Sequence, residues 1–97
     1  MRKKIEVDVP KLSDNAMIQM AQDYLTKRHV ELIQGARCPA HDSPFFEVKV
    51  WHDPDFNFWH QVRFVDKADK TLGWIVEVCY VQGEWKLSAR CLPYALS

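Results

Sequence analysis

VEVCYVQGEWKLSA, residues 76–89, reads as two strands closed by a two-residue turn. Val76, Val78 and Tyr80 alternate with Glu77, Cys79 and Val81. After the turn, Trp85, Leu87 and Ala89 alternate with Glu84, Lys86 and Ser88. Successive strand side chains leave opposite faces, so this period of two marks one apolar and one mixed face. Gln82-Gly83 fits a tight hairpin turn. It sets Tyr80 opposite Trp85, Val78 opposite Leu87, Val76 opposite Ala89 and Trp74 opposite Cys91.

Three more runs precede residues 84–92 with the same pattern, at 45–52, 58–66 and 72–81. The breaks DPDFN (53–57), KADKT (67–71) and QG (82–83) are too short for crossover helices, so the four runs form successive antiparallel neighbours. The stretch WHDPDFNFWHQVRF (51–64) carries Trp-His twice. A five-residue loop, Asp53–Asn57, places His52 opposite Phe58, Trp51 opposite Trp59, Val50 opposite His60, Val48 opposite Val62, Glu47 opposite Arg63 and Phe46 opposite Phe64. In the next pairing His60 stands beside Val78 and Phe58 beside Tyr80. The two indoles then share the outer face, and the two imidazoles point inward, one rung out of step.

Upstream, KIEVDV (4–9) alternates like a short strand that Pro10 ends. Ser13 is a good N-cap, Asp14 suits the positive helix end and Gly35 suits a C-terminal stop. Between them Met17, Ile18, Ala21, Tyr24, Leu25 and Leu32 form one broad apolar stripe, an amphipathic helix of about six turns. ARCPAHDSP (36–44) is a loop. The expectation is one α+β domain over residues 1–97, in the order β-α-β-β-β-β, with the helix lying across the inner face of a curved antiparallel sheet.

Lys plus Arg equals Asp plus Glu at 13 each in 97 residues. A neutral chain has no electrostatic footprint for nucleic acid or an anionic membrane. No apolar stretch reaches the roughly 20 residues a span needs, and the N-terminus lacks a signal-peptide core. Three cysteines without framework spacing suit a reducing compartment, so a cytoplasmic location is expected.

One long helix wrapped by a curved antiparallel sheet resembles the cystatin-like fold, whose larger cousins are the nuclear-transport-factor-2-like and ketosteroid-isomerase-like domains. The residues that carry the likeness are the four runs and the Gly83-Glu84-Trp85 turn of the last hairpin. The likeness covers nearly the whole chain as topology. DPDFN stands where cystatins insert a Gln-x-Val-x-Gly loop, and the other hairpin lacks their Pro-Trp pair, which argues against a cysteine-protease inhibitor. The resemblance implies a fold and no functional residue.

Cys38 and His41 in CPAH have a metal-site spacing, but no second pair follows, so neither a metal nor a cofactor is expected. No phosphate-binding glycine loop occurs. Two places remain. His52, His60, Tyr80, Tyr24 and Trp85 can line a cavity between helix and sheet, where a histidine is tunable as a general base. No inner-face carboxylate is at hand to orient the rings. On the outer face Trp51, Trp59, Cys79 and Val81 form an apolar patch suited to a second copy or a protein partner. The preferred expectation is a non-catalytic adaptor that self-associates or binds a protein through this face. The alternatives are a small-molecule-binding or isomerase/lyase-like domain, and an inhibitor or immunity factor from a mobile element.

Overall fold

A computed structural model of the chain describes residues 7–32 and 46–92. It contains a helix, α1 (Asp14–Leu32), followed by four strands, β1 (Phe46–His52), β2 (Trp59–Asp66), β3 (Gly73–Val81) and β4 (Glu84–Leu92). The strands form one antiparallel sheet in the order β1-β2-β3-β4, with the helix packed on one face. No helix among the described residues is long and apolar enough to cross a membrane.

The helix starts where its N-cap directs. Ser13 Oγ accepts the Ala16 N–H at 3.1 Å, and its carbonyl accepts the Met17 N–H at 3.0 Å. The first contact satisfies a donor that a helix start leaves unpaired, and the second is the first regular bond of the helix. Met17, Ala21 and Leu25, four residues apart, are buried against Phe46, Val62, Phe64, Trp74, Val76 and Val78. Ile18 and Tyr24 flank that stripe, half-buried. Leu87 and Ala89, expected beneath the helix, are also only half-buried, because β4 is an edge strand.

The leading strand is not formed as expected, so the order is α-β-β-β-β among the described residues. Residues 4–6 lie outside them, and Val7, Asp8 and Val9 join no ladder. Instead the Asn57 side chain takes both backbone groups of Val7. Its Oδ1 accepts the Val7 N–H at 2.8 Å, and its Nδ2 donates to the Val7 carbonyl at 2.6 Å. A carboxamide thus does for this segment what a neighbouring strand would do. Gly35, the CPAH loop and the tail after Leu92 also lie outside the described residues.

Two of the three registers agree with the alternation. His60 faces Val78, Val62 faces Val76 and Phe64 faces Trp74. In the last hairpin Tyr80 faces Trp85, Val78 faces Leu87 and Val76 faces Ala89. Gln82 and Gly83 both have positive φ, at 51° and 83°, as a two-residue primed turn requires. Gly73 starts β3 at φ 153°, where a β-carbon would collide with the Phe64 carbonyl.

The β1–β2 register differs from expectation. Trp51 faces Gln61, not Trp59, and His52 faces His60, not Phe58. Asp53 is the cause. This buried carboxylate accepts the Asp55 and Phe56 N–H groups at 2.8 and 3.0 Å, coiling the loop tightly. The Trp59 N–H then closes on the Phe56 carbonyl at 3.2 Å. The coil holds Phe58 out of the β1 ladder, and β2 slides by two residues. An even slip preserves which face each side chain takes, so only the rungs change.

Candidate functional site

The slip brings the two histidines together. Their Nδ1 atoms are 2.9 Å apart and their rings meet at 78°. His52 Nε2 lies 3.0 Å from Asp14 Oδ1 at the start of α1. A carboxylate therefore does orient the pair, contrary to expectation. It comes from the helix, where reading the sheet faces alone could not find it. His52 and Asp14 side chains are 47% and 61% exposed, so this ion pair adds little stability, and its effect is to fix the His52 ring.

His60 is buried, at 8% exposure. Burial pushes its pKa below the ordinary histidine value, and the nearby His52 charge pushes the same way. Asp14 and a hydrogen bond with the Asn57 backbone oppose this more weakly. Burial and the His52 charge thus disfavour the protonated ring.

Both rings line a cavity of about 210 Å³ with Val9, Pro10, Leu12, Met17, Asn57 and Trp85. The strap of residues 7–12 forms one wall, latched by Asn57. Trp85 lies 6.1 Å from His60, and Tyr80 packs edge-on to Trp85 at 5.1 Å. Of the cavity residues expected from the sequence, His52, His60 and Trp85 meet here, while Tyr80 supports Trp85 from outside the lining. Tyr24 stands apart. Arg28 lies over its ring at 5.4 Å, and it borders a separate depression with Met20, Asp23, Lys27 and Leu87.

On the opposite face Trp51 and Trp59 remain neighbours despite the slip, edge to face at 5.7 Å. Both are half-buried. The Trp59 ring N–H donates to Glu77 at 2.7 Å, and the Arg63 guanidinium lies 5.7 Å over Trp51. Gln61, 7% exposed, accepts from Arg63 Nε and Nη2 at 2.9 and 2.8 Å. These contacts also resolve a like-charge rung, since Arg63 faces Lys49 instead of Glu47. Lys49 turns to Glu47 at 3.6 Å. Cys79 faces Trp59 and is half-buried, and burial followed by Glu77 raises its thiol pKa. Val81 is exposed at the rim.

No group of three or more metal-ligating side chains occurs among the described residues. No protein-family model matches the chain, and neither a curated protein nor a solved structure does.

Proposed function

We propose that this domain binds a small molecule in the cavity between the strap, the start of α1 and the sheet. The observation that carries the reading is the Asp14–His52–His60 chain ending on a buried ring in the cavity wall. Such a ring in a cleft can accept or transfer a proton, as a binding or an isomerase/lyase-like site needs. The helix-on-sheet layering is compatible with a cystatin-like or NTF2-like topology, which suits a pocket between the layers. At about 210 Å³ the cleft falls below the roughly 300–1,000 Å³ of drug-sized pockets, so the ligand is small.

Thermal unfolding in the presence of a panel of small aromatic and aliphatic compounds tests this. A ligand at about 100 times its Kd adds about 2.7 kcal/mol, which raises Tm by roughly 10 °C or more in a domain of this size. The gain should vanish in Trp85→Ala. A panel in which no compound stabilises the folded protein contradicts the reading.

A second reading rests on the Trp51–Trp59 pair, whose partly exposed indoles lie on the face opposite the helix. It makes that face a contact with a second copy or a protein partner. Their bonds to Glu77 and Arg63 weaken this reading, because they hold the indoles within the domain's own network. Sedimentation of wild type and of the Trp51→Ala, Trp59→Ala double variant tests it. Association that the double variant loses supports it, and a monomer at high concentration contradicts it.

A further inference from the structure

Among the described residues no strand lies beyond β4, so one side of its backbone has no ladder. Which residues face that side follows from the rungs. The Tyr80 N–H donates away from β4, to the Phe58 carbonyl at 2.9 Å. Both backbone groups of a residue in an antiparallel ladder point the same way, so Tyr80 makes no bond to Trp85, its partner on β4. By alternation Trp85, Leu87 and Ala89 turn their N–H and C=O groups to the open edge. Sheets commonly blunt such edges with a proline, a bulge or a very short strand. β4 is nine residues long, contains no proline and pairs with β3 one residue to one.

A second copy of β4 suits this edge in one antiparallel register. Outward-turned residues must meet outward-turned residues, which limits where a two-fold axis can stand. An axis at Lys86 sets that residue against itself, and an axis at Ser88 sets Lys86 against Arg90. Both make like-charge rungs, which are destabilising. An axis at Trp85 runs into the Gln82-Gly83 turn, and one at Ala89 runs past Leu92 to Pro93. An axis at Leu87 sets Glu84 against Arg90 of the other copy, twice by symmetry, and Lys86 against Ser88. On the helix side it sets Trp85 against Ala89 and Leu87 against itself, an apolar seam of half-buried residues.

We propose that two copies of this chain join edge to edge through β4, about a two-fold axis at Leu87, so that their four-stranded sheets run on as one. The strand's own charges select a second copy in this register. Glu84 holds Lys86 at 2.9 Å, and Arg90 lies 3.6 Å from Glu77. The Glu84 and Arg90 side chains are 65% and 50% exposed, so such surface pairs exchange for a cross-strand partner at little cost. The seam is separate from the Trp51–Trp59 pair, which belongs to β1 and β2.

Sedimentation from micromolar to millimolar concentration tests the proposal with two charge variants, Glu84→Arg and Arg90→Glu. Wild type should form a dimer. Each variant alone puts like charges on both symmetric rungs and should weaken the dimer by about tenfold or more. Mixed together, the two variants restore opposite charges on both rungs and should pair with each other. Both positions are exposed, so melting temperatures near that of wild type will show that the variants fold. Hydrogen exchange at the Leu87 amide should slow as the dimer forms. A wild type that stays monomeric at millimolar concentration, a dimer that both variants leave intact, or variants that stay apart when mixed overturns the proposal. A Leu87 amide protected equally at every concentration places another segment of the chain on the edge, and also overturns it.

Discussion

His60 and His52 oppose each other on one rung of the β1–β2 ladder, with Nδ1 atoms 2.9 Å apart and only His60 buried. The buried ring sets how stability depends on pH. Its folded pKa lies below the ordinary value of 6.5, so the unfolded chain takes the proton more readily. The contribution is complete above about pH 6.5 and is lost as pH falls through that value toward the lowered folded one. Urea unfolding across this window should show wild type losing stability with acid more steeply than His60→Gln. Parallel curves would count against a buried neutral His60.

Gly73 begins β3 with φ 153°, and a β-carbon there would meet the Phe64 carbonyl. Gly73→Ala should cost at least about 1–3 kcal/mol, because both the conformation and the collision oppose a β-carbon. Calorimetry should show Tm falling by roughly 4–8 °C for each kcal/mol. A Tm within a degree of wild type would contradict the strand start.

Leu25 is 1% exposed under the sheet, whereas Leu72 is 40% exposed in the turn before β3. Leu25→Ala should lose about 2–5 kcal/mol and Leu72→Ala no more than about 0.5. Denaturant midpoints at constant slope distinguish them. Val76→Asp, at a position with 0% exposure, should leave no folded protein, since an unpaired buried charge consumes much of a typical 5–15 kcal/mol margin, on the order given by burial costs.

Asn57→Ala should release the strap. The two hydrogen bonds to Val7 are exposed, so the global loss should be only about 1 kcal/mol. The local effect is sharper. Hydrogen exchange at the Val7 amide should accelerate strongly while amides of β3 keep their protection. Unchanged exchange at Val7 would mean that another contact holds the strap.

Alternation alone reached the face of every described inner residue, because parity depends only on counting along a strand. It also reached the β2–β3 and β3–β4 rungs, the latter because Gln82-Gly83 admits one tight turn. The β1–β2 rungs were beyond it. Their position depends on Asp53 folding its carboxylate back onto Asp55 and Phe56, and an open five-residue loop looks equally good on paper. Aromatic pairing favoured Trp51 with Trp59, yet the indoles reach each other diagonally without sharing a rung. The cavity was half legible. His52, His60 and Trp85 follow from the inner face, but Asp14 enters through the seating of the helix and Asn57 through a long-range clasp. Neither has a periodic signal. Asp14 did stand out as an acidic first-turn residue, which its helix start alone explains.

The histidine pair as the working end of a ligand cavity is tested most directly by the ring nitrogen NMR spectra of His52 and His60 at about pH 8, with and without a compound that stabilises the fold in the thermal panel. The stabilising compound should shift the ring nitrogen signals of His60, which is buried and lines the cavity. A His60 ring that ignores such a compound at saturating concentration would contradict the account.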